Sequence, residues 1–206
     1  DDTEKLVIKF RTLGITKALA GSFEGIFHRD LTSANARLAE ECARFPELVP
    51  VASLDPGKPG WERDLASAKT AVRLHPGYHG YGLDHPGFAD LLIAAAESKL
   101  LVQLAVALED PRTQPDRMRV PEVDLAPLRE AMEKSPKTKV QLLNWKSRGP
   151  LTNALKTIPN LSVDTALSDG TDAVAKLVEA FGPERVLFGT HAPFLIPEAA
   201  LLRVHE

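Results

Sequence analysis

The chain contains one cysteine, Cys42, among 206 residues, which excludes an internal disulfide. Cys42 lies on the apolar side of a predicted helix, away from any strand end, which indicates core packing rather than a nucleophile. No apolar run reaches the roughly 18 residues of a membrane-spanning helix. The first residues, Asp1 to Lys5, are unlike a signal peptide. These absences favour a cytoplasmic protein.

The chain also lacks an excess of basic residues, since 25 Lys and Arg stand against 28 Asp and Glu. Without a basic patch, nucleic acids and anionic membranes are not expected partners, and a small-molecule substrate is the better expectation. Apolar residues make up 44% of the chain, enough for one sizeable core, and no linker separates two cores. Residues 1–206 are therefore predicted to form a single domain.

Short apolar runs alternate with amphipathic helical patterns along the chain. One helix is predicted over 31–45, capped by Asp30 or Thr32, and another over 174–181, capped by Asp169 or Thr171. The apolar runs predict seven strands, at 17–23, 49–54, 71–74, 100–108, 139–143, 161–164 and 185–188.

Strand, helix and strand at this spacing predict parallel pairing with right-handed crossovers, and seven such units favour a barrel. The predicted fold is therefore α/β, a TIM (β/α)8-type barrel. The sequence opens on a helical pattern through Leu6, Phe10 and Leu13, so the first barrel strand is expected to be missing from this chain. Two strand edges would stay unpaired, and the domain is expected to be incomplete at the N-terminus and also at the C-terminus.

Polar residues follow the predicted strands, at the end of such a barrel where the reaction cleft lies. His191 follows the last strand and His75 follows an inner one, so both are candidates for chemistry. The cleft is expected to be lined by Glu24, His28, Asp55, His75, Tyr78, His79, Tyr81, Glu109, Asp110, Arg112, Asn144, Asp164 and His191.

Two mechanisms remain open for these residues, among which His191, His79 and Asp164 are predicted to be catalytic. His75, Asp164 and His191 would hold one divalent metal, zinc or manganese, whose bound water would be the nucleophile. Without a metal, a general base and an oxyanion-stabilising group would come from His191 or His79 and from Arg112 or Tyr81.

The predicted substrate-binding residues are His75, Tyr81, Arg112, Asn144 and Trp145. Arg112 begins a long aperiodic stretch, 112–121, which is either a lid whose arginines hold a carboxylate or solvated surface. Trp145 would form an aromatic wall for a ring substrate. His75 has a structural alternative, in which its imidazole satisfies backbone groups beside Pro76.

Four segments, 23–28, 71–81, 108–112 and 187–193, follow one another in an order and at a spacing that resemble the amidohydrolase-related family. That family consists of TIM-barrel hydrolases usually described as metal-dependent. The resemblance implies hydrolysis of a C–N or C–O bond in a small carboxylated or cyclic substrate, with metal-free lactonase or decarboxylase activity as the alternative. It also implies a homo-oligomer.

This sequence departs from the metal-ligand pattern of that family. Metal-dependent members carry His-x-His on the first strand, a His on the strand that here reads 101–107, and an Asp where this chain has His191. Here the second position falls near Ala105, and no residue represents the first strand. The resemblance therefore implies a branch that has lost or relocated the usual metal site.

A catalytically silent barrel that binds a metabolite or a partner chain is the remaining hypothesis. An enzyme would bring His75, His79 and His191 within about 3 to 5 Å of each other or of a shared water. A silent barrel would scatter them and fill its mouth with the rings of Phe23, Phe27, Tyr78 and Phe194.

Overall fold

The computed structural model describes residues 2–109, 114–147 and 149–205, in which strands and helices alternate. The strands are Ala18–Ala20 (β1), Leu48–Pro50 (β2), Ala52–Leu54 (β3), Ala71–Leu74 (β4), Leu101–Ala105 (β5), Lys139–Leu143 (β6), Leu161–Asp164 (β7) and Val186–Leu187 (β8). The helices are Asp2–Thr12 (α1), Glu24–Phe27 (α2), Leu31–Ala43 (α3), Trp61–Ser67 (α4), Pro76–His79 (α5), Pro86–Glu97 (α6), Leu128–Lys134 (α7), Gly149–Leu155 (α8), Ala173–Phe181 (α9) and Pro197–His205 (α10).

All strand pairs are parallel, as the alternation of strands and helices predicts. β1 pairs with β2, and β3 to β8 pair in chain order. β2 and β3 are the two halves of one predicted strand, interrupted at Val51, whose N–H donates to the carbonyl of Ala20 at 2.8 Å. Each of the seven predicted strands is thus present, with its ends shortened or unchanged except at Leu48, where β2 begins one residue before the predicted start.

The main core lies between the strands and the outer helices. Val72, Val102 and Val140 are fully buried, and they belong to the same apolar cluster as Phe88 and Leu91 of α6. Because side chains alternate along a strand, the residues next to these valines point to the opposite face, into the interior of the barrel. We call that interior the lumen.

The barrel is open between its first and last strands. Within the described ranges, no strand pairs with the outer edge of β1 or of β8. Leu19, Leu187 and Phe188 beside this opening are 37%, 37% and 43% exposed. A sequence pattern predicted these two unpaired edges, and the helix predicted before β1 is α1.

Helix capping confirms one prediction and corrects another. Asp30 caps α3, with its carboxylate accepting the N–H of Ser33 at 3.1 Å. The predicted caps of α9, Asp169 and Thr171, are wrong, because the helix begins at Ala173 and the residue at its N-cap position is Asp172. Asp172 has φ +56 rather than the extended backbone of a capping residue, and its side chain makes no capping hydrogen bond to the described helix.

The described helices were also compared with the length and apolarity that a bilayer requires. None of them is long and apolar enough to cross a membrane.

Candidate active site

Three neighbouring strands share an apolar–polar–apolar triplet, whose central residues are Arg73 on β4, Gln103 on β5 and Gln141 on β6. The strand register places Arg73 beside Gln103 and Gln103 beside Gln141. Arg73 Nε and Nη2 donate to Gln103 Oε1 at 3.0 and 2.7 Å, and Gln103 Nε2 donates to Gln141 Oε1 at 2.8 Å. These three residues form a polar row across the lumen. Sequence reasoning missed this row, although the repeated triplet could have revealed it.

The next inward-facing positions form a layer nearer the carboxyl ends of the strands. Because side chains repeat every two residues, Asp55, His75 and Asp164 belong to this upper layer, together with Ala105 and Leu143. The two carboxylates and the imidazole are each 5% exposed or less. The structure therefore places these three predicted cleft residues on one level of the lumen.

His75 is the least satisfied polar residue of this layer. Neither ring nitrogen has a hydrogen-bond partner among the described residues, although both are buried. Burial, and after it the positive charge of Arg73, lowers the pKa of His75 to about 3, so the ring is neutral at physiological pH. The structural alternative is wrong, since the imidazole makes no capping bond at the start of α5.

Asp164, at the end of β7, is the upper-layer group with the raised pKa. Burial raises the pKa of its carboxyl to about 6, against the N–H groups of Asn144 and Ala166, which favour the charged form. Those N–H groups donate to Oδ1 at 3.0 and 3.3 Å. A Cβ on Gly189 would lie 2.8 Å from Oδ2, so glycine is what leaves room for the carboxyl there.

Asn144 fixes the end of β6 rather than facing the lumen freely. Its backbone is left-handed, with φ +57, and its N–H donates to Asp164. Its side-chain Nδ2 donates to the carbonyl of Ala107 at 2.9 Å. The side chain predicted to bind substrate is therefore engaged with the neighbouring backbone.

His79 and Tyr81 lie after β4, beside His75. The rings of His75 and His79 meet edge to face, with centroids 5.8 Å apart. His79 Nε2 donates to the carbonyl of Gly25 at 3.0 Å, and burial lowers the pKa of the ring. The Tyr81 hydroxyl is buried without a hydrogen-bond partner in the described part of the chain, and burial raises its pKa well above 10.

His191 occupies a left-handed position after β8, with φ +50. Its Nε2 donates to the carbonyl of Leu108 at 2.6 Å, and its ring stacks on Phe194 with centroids 5.0 Å apart. Burial lowers the pKa of His191. With Nε2 donating, Nδ1 of the neutral ring carries the lone pair.

Trp145, which was predicted to bind substrate, does not line the lumen. Trp145 is only 3% exposed and belongs to the outer core, where its ring meets Phe181 edge to face at 5.9 Å. Arg112 lies outside the described residues, as does Asp110.

An aromatic arc surrounds part of the barrel mouth, formed by Tyr78, Phe27, Phe23 and Phe194. Successive rings have centroids 5.6, 5.2 and 5.6 Å apart, and Phe194 continues to His191. Phe23, Phe27 and Phe194 are 55%, 60% and 53% exposed, so the arc is an exposed rim rather than a dry plug. The contacts expected of a silent barrel are present, but they leave the mouth accessible.

A cleft opens beside this rim, between α5 and the segment that follows β5. Its lining includes Gly77, Tyr78, Ala105, Leu108, Glu109 and Val120. Tyr78 donates to Glu109 across it at 3.4 Å. Since Ala105 belongs to the upper layer, the cleft leads from the surface toward the lumen.

No family model and no curated protein matches the sequence. Several solved structures are similar to this chain in fold. The chain is 14% identical to 2,6-dihydroxybenzoate decarboxylase from Rhizobium, at a TM-score of 0.70 over 97% of this chain and 80% of that one. It is 16% identical to a TIM-barrel protein from Bordetella bronchiseptica, at a TM-score of 0.72 over 98% and 75%.

A third similar structure carries ligands. The 5-carboxyvanillate decarboxylase from Novosphingobium aromaticivorans, complexed with manganese and 4-hydroxy-3-methoxy-5-nitrobenzoic acid, is 16% identical at a TM-score of 0.68, over 96% of this chain and 72% of that one. These similarities confirm the predicted TIM-barrel fold. The same fold is present in the two decarboxylases reported above, 2,6-dihydroxybenzoate decarboxylase and 5-carboxyvanillate decarboxylase.

The manganese of that structure raises the question of whether this chain has a comparable ligand set. Across the ranges the structure describes, no three His, Cys, Asp or Glu side chains are grouped to hold a metal ion. The guanidinium of Arg73 already places a positive charge in the lumen. The described residues therefore do not fit the predicted site of His75, Asp164 and His191.

Proposed function

We propose that the chain is an enzyme that decarboxylates a small cyclic carboxylic acid at the carboxyl end of its barrel, with Asp164 as the proton donor. The observation that carries the proposal is the buried Asp164 carboxyl, whose pKa is raised to about 6. A general acid works best when its pKa lies near the working pH, because it then holds a proton and still releases it.

The reaction balances with this one residue. The C–C bond to the substrate carboxylate breaks, and its electron pair stays on the ring carbon. That carbon takes the proton of Asp164 as CO2 leaves, and Asp164 is left as a carboxylate. The N–H groups of Asn144 and Ala166 stabilise this charge, and a proton from solvent restores the acid.

His75 would orient the substrate. A neutral imidazole has one N–H donor and one acceptor, and both are unpartnered among the described residues. Leaving a buried polar atom without a partner costs about 1–3 kcal/mol. A hydroxyl or carbonyl oxygen of a bound substrate would accept a hydrogen bond from the N–H of this ring. His75 is therefore assigned a role in binding the substrate.

The aromatic arc supports a ring-shaped substrate. Phe23, Phe27 and Phe194 present exposed faces and edges beside the mouth. Aromatic rings pack favourably against one another in offset or edge-to-face geometry. Two of the similar solved structures are decarboxylases named for substituted benzoic acids, which agrees with this choice of substrate class.

Hydrolysis of a C–N or C–O bond, the reaction implied by the sequence resemblance, is the second candidate. Above its pKa of about 6, Asp164 is a carboxylate that would accept a proton from an attacking water. The same residue therefore serves either reaction, but in opposite protonation states.

The experiment is a product screen of the purified protein. The wild-type protein and Asp164→Asn are each incubated with four kinds of compound: 2,6-dihydroxybenzoate, 5-carboxyvanillate, simple lactones and cyclic amides. The CO2 released and the ring products formed are then measured. We expect CO2 release from at least one acid and none from the variant. Hydrolysis products without CO2 would replace decarboxylation by the second candidate. No turnover of any compound would contradict both.

We also propose that the chain forms a homo-oligomer. Ile196 and Leu202 near the C-terminus are 65% and 64% exposed, and Phe188 beside the barrel opening is 43% exposed. Large apolar side chains that are exposed in this way support an interaction surface. Light scattering after size-exclusion chromatography should give a mass above 22.4 kDa, and a mass equal to that of one chain would contradict the proposal.

A further inference from the structure

Arg73 is a positive charge without a negative partner. Its guanidinium is held on one side by Gln103 Oε1 and reaches the carbonyl of Leu19 on β1 with Nη2 at 3.3 Å. These acceptors are neutral, and no carboxylate of the described chain forms an ion pair with it. Burial lowers its pKa to about 10, which leaves it charged at physiological pH. Arg73 is partly buried and has no ion pair in the described chain, so a bound anion would supply the counterion that the described residues do not.

One donor of this guanidinium remains available. Nε and Nη2 donate to Gln103 and Leu19, whereas Nη1 makes no hydrogen bond with any residue the structure describes. Nη1 lies against Gly21, where an added Cβ would approach it to 2.4 Å. Because Gly21 directly follows β1, the open donor lies toward the carboxyl end of the barrel.

The groups around Arg73 match an anion rather than a second cation. Arg73 opposes protonation of His75 and of His191, and its charge favours the ionised form of Asp164. Asp164 is close enough for this effect but does not reach the guanidinium as an ion pair. A planar anion bound at Nη1 would supply the missing charge and would lie below the upper layer.

We propose that the Arg73 guanidinium binds a carboxylate or phenolate oxygen of the substrate, one that the product keeps. This rests on the proposed decarboxylation. An ion pair with the departing carboxylate would stabilise the ground state and slow the loss of CO2, so Arg73 is suited to a second anionic group. The substrate class is therefore a cyclic acid that carries a further acidic oxygen.

The test measures binding rather than turnover, with benzoate as the anionic probe and benzamide as its neutral counterpart. Calorimetric titrations compare the wild-type protein with Arg73→Met and Arg73→Lys. We expect Arg73→Met to weaken benzoate binding by about ten- to a hundredfold, and to change benzamide binding by less than about twofold. Arg73→Lys keeps the positive charge but loses the planar fork of donors. Its affinity for benzoate should therefore lie between those of the wild-type protein and Arg73→Met.

Gly21→Ala gives a second and gentler variant. Its methyl group would displace Nη1 without removing the charge, so benzoate binding should weaken while the thermal unfolding curve stays close to that of the wild type. Ser162→Ala, on the lumen side of β7, is the control and should bind benzoate normally. If Arg73→Met does not fold, Gly21→Ala decides the question.

Two results would overturn the proposal. One is a wild-type protein that binds benzoate no better than benzamide. The other is a folded Arg73→Met or Gly21→Ala protein that binds benzoate within about twofold of the wild type. Arg73-dependent benzoate binding in a protein that decarboxylates none of the acids would keep the anion site and remove only the proposed reaction.

Discussion

At the scale of single residues, burial shifts the pKa values of Asp164 and His75 in opposite directions. Burial disfavours the charged form of each, so the pKa of Asp164 rises to about 6 and the pKa of His75 falls to about 3. Near neutral pH the upper layer of the lumen then contains a neutral imidazole and a carboxyl that exchanges its proton. The exchangeable proton of Asp164 is the basis of the proposed acid chemistry.

Asp164→Asn should abolish turnover and stabilise the protein. The folded pKa of Asp164 is raised, so the folded protein binds more protons than the unfolded chain between about pH 4 and 6, and this residue's contribution to stability falls as pH rises through that window. Asparagine avoids the buried charge and keeps an oxygen for the N–H groups of Asn144 and Ala166. Chemical denaturation near pH 7.5 should show a gain on the order of 2 kcal/mol.

The same variant should lose at least about 100-fold in kcat. A variant that keeps its activity, or that is less stable than the wild type near neutral pH, would contradict the role and the environment assigned to Asp164. Ser162→Ala, on the same strand, controls for a general disturbance of β7.

The pH dependence of kcat separates the two candidate reactions. Decarboxylation needs protonated Asp164, so kcat should fall as pH rises through about 6. Hydrolysis needs the carboxylate, so kcat would rise over the same range. His75 stays neutral throughout, because its pKa is about 3. A steady-state profile between about pH 4.5 and 8.5 distinguishes the two, and a flat profile would contradict both.

Several candidate residues could be predicted from the sequence because they follow apolar strands that end at one face of a barrel. His75, His79, Asp164 and His191 were found in this way. Arg73 was overlooked because a charged residue inside an apolar strand contributes nothing to a strand-end argument. Its lumen position follows only when the triplets of β4, β5 and β6 are aligned.

At the scale of elements, the strands were predictable because their apolar runs are short and their spacing is regular. The break of one predicted strand into β2 and β3 was not, because it depends on Val51 bonding back to Ala20. The capping residue of α9 was missed because the chain enters this helix through the left-handed backbone of Asp172 rather than through an extended residue whose side chain caps it.

Gly189, in the turn after β8, is predicted to be essential for the position of the Asp164 carboxyl. An alanine Cβ there would lie 2.8 to 2.9 Å from three atoms of the Asp164 side chain, so the carboxyl must move. We expect Gly189→Ala to lower kcat by about tenfold and stability by about 1–3 kcal/mol. Steady-state kinetics and denaturation measure the two effects.

Gly170→Ala is the matched control for this prediction. Its Cβ would meet no atom within 4 Å, but its φ of +96 makes alanine strained. A comparable loss of stability with unchanged kcat is expected. If both variants lose activity equally, the effect of Gly189→Ala is not a displacement of Asp164.

At the scale of the whole molecule, the fold follows from the alternation of strands and helices, whereas the ligand set of the lumen does not. The TIM-barrel comparison confirms the architecture, and the polar row and Arg73 give this barrel its own interior. Fold similarity alone does not assign an activity. The reaction must therefore be argued from Asp164, His75 and the groups that shift their pKa values.

Removal of divalent metals should leave the activity unchanged. The described residues form no three-ligand group, and Arg73 disfavours a second cation in the lumen. After dialysis against EDTA, we expect kcat within about twofold of the untreated protein and elemental analysis well below one metal per chain. Stoichiometric zinc or manganese, with activity lost on chelation and restored by the metal, would contradict this.

The measurement that tests the central claim most directly is decarboxylation in D2O, followed by mass spectrometry of the ring product. If Asp164 delivers the proton to the carbon that loses CO2, the wild-type product carries one deuterium there and Asp164→Asn forms no such product. Equal amounts of deuterated product from the wild type and from a folded Asp164→Asn protein would show that another group protonates the carbon.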